Sequence, residues 1–162
     1  MEDLFTLFYP SPLGLMEIKG TDSAVSRVGF VEEEKPSSNS APDILIKCKN
    51  ELDEYFNGKR KIFTVALAPV GTEFQQTVWN KLLGIGFGNT TSYMAIAKEL
   101  NNPGAVRAVG LANGRNPIGV IIPCHRVIGE DGSLTGYVGG LWRKKWLLEH
   151  EGNTSGKTPT LF

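Results

Sequence analysis

The chain has 162 residues, of which 41% are hydrophobic and 21% are charged, and this composition excludes a disordered tail or a fibre. Its 17 basic residues equal its 17 acidic ones, so the net charge alone does not indicate a nucleic-acid binder. The charges are distributed unevenly, because residues 1–70 hold 11 acidic and 8 basic residues whereas residues 71–162 hold 6 and 9, which favours the second half for contact with a polyanion.

The first 70 residues predict an antiparallel sheet followed by a helix. Three short segments rich in β-branched and aromatic residues are separated by turn residues. They are Leu4 to Tyr9, Gly14 to Lys19 and Ala24 to Val31. From Ile44 to Phe56 apolar residues recur at three- and four-residue spacing, which predicts a helix with Cys48 on its buried face. Ile62 to Leu67 alternates like a further strand, and a domain boundary is expected near residue 70.

The second half predicts short helices with tight connections. Thr72 is the expected N-cap of the first, and its inward stripe is expected to contain Phe74, Val78, Leu82 and Leu83. Further helices are predicted from about Ser92 to Leu100, from Gly104 to Ala112 and from Leu141 to Leu148. The first three resemble a helix-turn-helix or winged-helix unit, although short helical triplets also occur as plain packing modules.

The most informative run extends from Asn116 to Ile128, where an apolar, strand-like stretch ends in Pro123-Cys124-His125. The end of regular structure at this point is expected to expose the Cys124 thiol. A free thiol is mostly protonated at neutral pH, and an imidazole can remove its proton. Neighbours on an extended strand point to opposite sides, so His125 is expected to act through a water or a bent backbone.

A carboxylate is expected to orient the His125 imidazole. Glu149 and Glu151 flank His150 at the end of the last predicted helix, and the residues alone do not distinguish between them. The alternative interpretation of Pro123-Cys124-His125 is a buried cysteine beside a surface histidine.

Residues 72–151 closely resemble the O6-alkylguanine-DNA alkyltransferase family, the methylated-DNA–protein-cysteine methyltransferases. The resemblance lies in ten motifs that occur in the family's order. They are Gly71 to Gln75, Val78-Trp79, Thr91 to Tyr93, Arg107 to Gly110, Ala112-Asn113, Asn116-Pro117, Pro123 to Ile128, Gly136-Tyr137, Gly139-Gly140 and Leu147 to Glu151.

The resemblance implies an α+β protein of two domains. Residues 1–70 would form a structural, ribonuclease-H-like domain of antiparallel sheet and helix. Residues 71–152 would form a helical winged-helix or helix-turn-helix domain that binds DNA and carries the active cysteine. Residues 153–162 are expected to be a flexible tail.

The resemblance also implies the chemistry. Cys124 would accept an alkyl group from O6-alkylguanine in DNA, with O4-alkylthymine as a second candidate substrate. His125 would act as its base through water, and Glu151 would polarise His125. Asn116 would brace the turn, and Tyr93 would donate to the departing base. The thioether product has no good leaving group, so each molecule would act once.

Binding to double-stranded DNA is implied through the minor groove, with the damaged nucleotide rotated out of the duplex. Arg107 would fill the vacated space, and Tyr93, Ala108 and Gly110 would face the DNA. Val127, Tyr137 and Val138 would form the substrate pocket. The sequence departs from the family at Val138, which is expected to narrow this pocket, and at Gly119, which is expected to relax it.

No cofactor or metal is expected, since two cysteines and two histidines do not make a zinc-ligand cluster. The N-terminal sequence lacks the features of a signal peptide, and no run approaches the ~18 apolar residues that span a bilayer. A monomer without membrane contact is therefore expected in the cytoplasm, or in the nucleus of a nucleated cell, and both cysteines should remain thiols.

Two other functions remain open at this point. A lesion-binding sensor without transfer activity would share the DNA-binding helices, but such relatives lack the acceptor cysteine. A Cys-His hydrolase would use Cys124 and His125 with turnover, although its nucleophile and base usually come from distant parts of the chain.

Overall fold

The computed structural model describes residues 4–35, 40–134 and 136–155. The chain folds into two compact units. The first contains the residues up to Val70 together with Pro117–Ile121, and the second contains Gly71–Asn116 and the residues from Ile122 onward. No helix in the described ranges has the length and apolar character needed to cross a membrane.

The first unit contains a three-stranded antiparallel sheet of β1 (Phe5–Ser11), β2 (Gly14–Gly20) and β3 (Val25–Phe30), in that spatial order. The predicted meander is therefore confirmed. The β1–β2 turn is closed by the Ser11 hydroxyl, which donates to the Gly14 carbonyl at 2.7 Å and accepts from the Leu13 amide. Gly14 adopts a φ of 125°, which an L side chain rarely tolerates.

Helix α1 (Asp43–Phe56) packs on this sheet, close to the predicted range. The helix buries apolar side chains at three- and four-residue spacing, as the sequence predicts. They are Leu45, Cys48, Leu52, Tyr55 and Phe56. Cys48 is fully buried, and burial, followed by the nearby Glu51 charge, raises the pKa of its thiol to about 12. This thiol is therefore an inert part of the core.

The predicted strand from Ile62 to Leu67 is wrong, because only Leu67 makes a β-bridge, to Val25. The buried Glu51 carboxylate accepts from the Thr64 amide at 2.9 Å, from the Val65 amide at 3.1 Å and from the Thr64 hydroxyl. These backbone donors are therefore satisfied by a side chain instead of a neighbouring strand.

The apolar run before Cys124 is also not a strand. Ile118 makes one bridge to Val28, and the Gly119 amide donates to the Val28 carbonyl at 2.9 Å. The chain then turns through Val120, whose φ of 70° is a genuine outlier for a β-branched residue. This turn ends the extended run that the apolar, strand-like sequence predicts.

The second unit is mainly helical, with a short parallel pair of strands. Its elements are α2 (Glu73–Leu83), β4 (Thr91–Ser92), α3 (Tyr93–Glu99), α4 (Val106–Gly114), β5 (Val127–Ile128) and α5 (Leu141–Ser155). Short 3₁₀ turns at Pro103–Ala105 and Cys124–Arg126 precede α4 and β5, and β4 pairs with β5. The mixed α+β architecture predicted from the sequence is confirmed.

Helix α2 begins as predicted, with Thr72 and Gln75 forming a reciprocal capping box. The predicted inward stripe is partly wrong, since Phe74 is 37% exposed and Leu83 is 49% exposed. Trp79 is buried beside Val78 and Leu82, and its indole nitrogen donates to the Ala112 carbonyl of α4 at 2.9 Å. The buried face of α2 is therefore formed by Val78, Trp79 and Leu82, with the large indole of Trp79 in the place expected for Phe74 and Leu83.

Helix α5 begins at Leu141 as predicted but extends to Ser155, beyond the predicted end at Leu148. Residues 153–155, which the sequence assigns to a flexible tail, belong to this helix. The rest of that tail, residues 156–162, lies outside the described residues.

Replacing Glu51 by Ala should lower the free energy of unfolding by ~2 kcal/mol or more, because it leaves the buried Val65 amide and its neighbour without acceptors. Urea unfolding at neutral pH measures this loss. Glu54→Ala is the matched control, since Glu54 is 44% exposed and its bond to Arg60 should contribute less than ~1 kcal/mol.

The Glu51 contribution should also depend on pH. Burial alone would raise the pKa of its carboxyl, but the Thr64 and Val65 hydrogen bonds and the Arg60 charge lower it overall. A carboxyl whose pKa is lower in the folded chain stabilises fully above the unfolded value of ~4.3 and loses that contribution as the pH falls through the folded pKa. The stability gap should narrow in acid, and a widening gap would contradict this assignment.

Candidate active site

Two asparagines at the end of α4 brace the turn that carries Cys124. Asn116 donates from Nδ2 to the Ile122 carbonyl at 2.8 Å, and Asn113 donates from Nδ2 to the Cys124 carbonyl at 3.3 Å. The Cys124 amide donates to the Ile122 carbonyl at 2.8 Å, which closes the turn. The expectation of an exposed thiol is wrong, because Cys124 is only 7% exposed and its neighbours from Ile121 to Ile128 are also buried.

A buried carboxylate lies against the residue after Cys124. His125 Nε2 is 2.7 Å from Glu151 Oε2, and both side chains are at most 1% exposed. Glu149 instead lies 3.9 Å from Lys145 on the exposed side of α5. The structure therefore brings Glu151, and not Glu149, to the imidazole, a choice that the sequence left open.

Arg126 binds the other side of the same carboxylate. Its Nε donates to Glu151 Oε1 at 2.8 Å, and its Nη2 donates to Oε2 at 2.9 Å. Its Nη1 donates to the Ile85 carbonyl at 2.5 Å, in the loop that follows α2. This paired geometry is the strongest form of an arginine–carboxylate contact and holds the Glu151 oxygens in fixed positions.

The charges of this cluster follow from its burial. Burial lowers the pKa of His125, against the opposing influence of Glu151. Although burial alone would raise the pKa of Glu151, its contacts with His125 and Arg126 hold it well below the usual range. The carboxylate is therefore charged at neutral pH and the imidazole is neutral. With Nε2–H donated to Glu151, Nδ1 is left as an acceptor.

The thiol is subject to opposing influences. Burial raises the pKa of Cys124, whereas a hydrogen bond with the Asn116 side chain and the positive charge of Lys144 lower it. Lys144 is fully buried, and its ammonium donates to the Val127 carbonyl at 2.6 Å. Burial lowers the pKa of Lys144 to about 8, against the attraction of the nearby Cys124.

Lys144 was missed by the sequence analysis. A signal was present, because Lys144 precedes the buried Leu147 and Leu148 by three and four residues. Residues at these spacings share one face of a helix, so a lysine there is either paired or functional.

Helix α4 exposes one face to solvent and buries the other. Arg107 and Ala108 are exposed, Leu111 is 67% exposed, and Val109 and Ala112 are buried. Gly110 lies close to Tyr93, the first residue of α3, because a Cβ added to it would be 3.8 Å from Tyr93 Cδ1. The residues expected to face DNA therefore lie on α4 and at the start of α3.

The residues expected in the substrate pocket have different environments. Val127 is fully buried, and Tyr137 is half-buried, with its pKa raised by burial and then by the nearby Cys124. Val138 is 86% exposed on a turn, and its narrowing of the pocket stays a prediction. Gly119, expected to relax the pocket, belongs to the first unit and bonds to Val28 there. Within the described residues, no group of three or more His, Cys, Asp or Glu side chains is arranged to hold a metal ion.

Both parts of the chain match known families. Residues 4–69 match the family described as 6-O-methylguanine DNA methyltransferase, ribonuclease-like domain, and residues 73–153 match 6-O-methylguanine DNA methyltransferase, DNA binding domain. A methylated-DNA–protein-cysteine methyltransferase of Methanosarcina acetivorans is 44% identical over 157 residues, which cover 93% of this chain and 99% of that protein.

Solved structures agree with these matches. The crystal structure of Mycobacterium tuberculosis O6-methylguanine methyltransferase has a TM-score of 0.84 and 42% identity, over 94% of both chains. The crystal structure of Mycobacterium tuberculosis OGT in complex with DNA has a TM-score of 0.82 and 43% identity, over 98% of this chain and 96% of that chain.

Replacing Lys144 by Met should slow the reaction of Cys124 with iodoacetamide ~10-fold at pH 7, because removing a nearby cation lowers the thiolate fraction. The advantage of the parent protein should fade above pH 8, where Lys144 itself loses its proton. Peptide mapping resolves Cys124 from Cys48. Lys145→Met removes the same charge from an exposed neighbour and should leave the rate unchanged, so equal losses in both variants would contradict a specific effect of Lys144.

Proposed function

This chain belongs to the 6-O-methylguanine DNA methyltransferase family, and on that premise we propose that it moves the alkyl group of an O6-alkylguanine in DNA onto the sulfur of its own Cys124. Its reaction class is that of a methylated-DNA–protein-cysteine methyltransferase, and its function is DNA repair by alkyl transfer to a cysteine. DNA is its macromolecular partner. Residues 1–70 have a structural role in this proposal, and residues 71–152 bind DNA and react.

The observation that carries the assignment of Cys124 is the 2.7 Å contact between His125 Nε2 and Glu151 Oε2. This contact fixes the neutral imidazole with Nδ1 as acceptor, one residue from the thiol. A base oriented by a carboxylate beside a nucleophile is the arrangement that activates a weak nucleophile. Asn116 supports the same assignment, since it braces the turn and lowers the pKa of the thiol.

The reaction is a displacement at the alkyl carbon. The Cys124 proton passes through a water to His125 Nδ1, and the Sγ–C bond forms as the C–O6 bond breaks. The electron pair of the broken bond goes to the purine, which takes a proton or hydrogen bond from the Tyr93 hydroxyl. His125 later releases its proton to solvent, and the guanine gains one from solvent, either directly or through Tyr93, which is then reprotonated. The balance is therefore thiol plus alkylguanine giving thioether plus guanine. The thioether is stable, and each molecule acts once.

Contact with DNA is proposed through the exposed face of α4, in the minor groove. Arg107 and Ala108 are exposed there, and the small residues Ala108 and Gly110 permit close approach to a narrow groove. The lesion must leave the base stack to reach Cys124, and Arg107 fills the space that it vacates. Val127, Tyr137 and Val138 contact the extruded base in this proposal, and the free protein is a monomer.

Mixing the protein with excess duplex DNA that contains O6-methylguanine should add one methyl group per chain, at Cys124. Intact mass followed by peptide mapping measures the gain. Cys124→Ser should show no gain, whereas Cys48→Ser should react like the parent, because Cys48 lies in the core of the first unit. Lesion binding without a mass change would indicate a non-transferring sensor, and repeated turnover would indicate a hydrolase.

Arg107→Ala should slow repair of duplex DNA ~10-fold or more while leaving the reaction with free O6-benzylguanine unchanged, because only the duplex reaction includes base extrusion. Single-turnover rates on both substrates measure the split. Arg115→Ala removes the same charge from the exposed C-terminal end of α4 and controls for general attraction to DNA. Equal losses on duplex and free base would remove Arg107 from the extrusion step.

A further inference from the structure

Two buried polar atoms near Cys124 have no hydrogen-bond partner in the described part of the chain. They are Asn113 Oδ1 and His125 Nδ1. Asn113 is 3% exposed and His125 is fully buried, so bulk solvent does not satisfy either atom. Buried polar atoms without a partner are rare, because losing water without replacement carries a large desolvation cost.

The orientation of the Asn113 amide follows from its neighbour. Its Nδ2 donates to the Cys124 carbonyl at 3.3 Å, and the reversed amide would place Oδ1 against that carbonyl oxygen. Oδ1 is therefore the free acceptor, and it lies within one amide group of the Cys124–His125 peptide. His125 Nδ1 is also an acceptor, because Nε2 carries the proton toward Glu151.

Two unpartnered acceptors beside the Cys124–His125 peptide fit the hydrogen-bond pattern of a single water. A water donates two hydrogen bonds, one to each acceptor, and its oxygen can then accept from the Cys124 Sγ–H. All three groups are satisfied by this arrangement, and the water oxygen is directed at the thiol. His125 alone would fix only one of the two water protons.

We propose that Asn113 is a positioning residue, whose Oδ1 and His125 Nδ1 hold the water that takes the proton of Cys124. The inference rests on the proposed alkyl transfer and adds a residue to it. Asn113 belongs to the buried face of α4, whose other face carries Arg107. One helix thus contributes to the proposed DNA contact and to activation of the thiol.

The test compares Asn113→Leu with Asn113→Ala by the pH dependence of Cys124 alkylation with free O6-benzylguanine. Leu keeps the branched shape of Asn but removes the Oδ1 acceptor, whereas Ala leaves space in which a second water replaces Oδ1. Both variants lose the Nδ2 donor to the Cys124 carbonyl, so that loss is the same in the two. Relay through the water predicts a ~10-fold slower reaction for the Leu variant at neutral pH, a smaller loss for the Ala variant, and convergence with the parent at high pH.

A packing role predicts the opposite order, because Leu fills the space and Ala leaves a cavity. The inference is overturned if the Ala variant reacts more slowly than the Leu variant and also has the lower melting temperature. It is likewise overturned if the Leu variant keeps the pH profile of the parent protein. If the parent protein itself is not alkylated by the substrate, the proposed function is overturned instead.

A high-resolution crystal structure of the unalkylated parent provides a measurement that does not depend on the folding of any variant. It should show one water within hydrogen-bond distance of both Asn113 Oδ1 and His125 Nδ1. A protein side chain or a dry cavity at that position would overturn the inference.

Discussion

The Glu151 carboxylate is the constraint on which the rest of the second unit depends. It is 1% exposed, and an unpaired carboxylate at such a position would be strongly unfavourable. His125 and Arg126, which are adjacent in the 3₁₀ turn, both bind it, and Arg126 continues to the Ile85 carbonyl. One anion thereby connects α5, the turn that carries Cys124 and the loop after α2. It also sets the tautomer of His125, so the same bond that holds the fold defines the base.

The net charge beside the thiol follows from this pairing. Arg126 and Glu151 carry opposite charges and His125 is neutral, while the Lys144 ammonium adds a positive charge that favours a thiolate at Cys124. A thiolate at Cys124 would place a negative charge near the Lys144 ammonium. The Val127 carbonyl accepts a hydrogen bond from this ammonium. Burial opposes the thiolate and Lys144 favours it. The net result is a raised thiol pKa, because burial is the largest influence, and Lys144 and the Asn116 hydrogen bond offset part of it.

The sequence predicts the elements of this fold better than their edges. The meander, α1 and the Thr72 cap follow from local spacing and capping chemistry, which the structure confirms. The predicted strand from Ile62 to Leu67 fails because Glu51, thirteen residues earlier, takes the amides that a strand would pair. Alternation in sequence does not reveal a long-range side-chain acceptor.

The site divides in the same way. Cys124 and His125 are adjacent in sequence and were identified as a pair, and the family resemblance singled out Glu151. The burial of the thiol was missed, because it depends on packing that no local pattern contains. Lys144 lies within a helix predicted by spacing and Asn113 lies just after another, and neither pattern reveals the backbone carbonyl that each side chain meets across the fold.

The two cysteines show why burial alone does not define an inert thiol. Cys48 and Cys124 are both buried, and burial raises the pKa of both. The charge that acts on each thiol differs in sign, because the Glu51 carboxylate repels a thiolate at Cys48 whereas the Lys144 ammonium attracts one at Cys124. Cys124 also has the Asn116 hydrogen bond and a base on the next residue. A buried thiol is protected from reaction with other molecules in solution. A nearby positive charge and a hydrogen-bond donor favour its thiolate when a substrate enters the site. For a group that reacts once, this combination preserves the thiol until the alkyl carbon is in place.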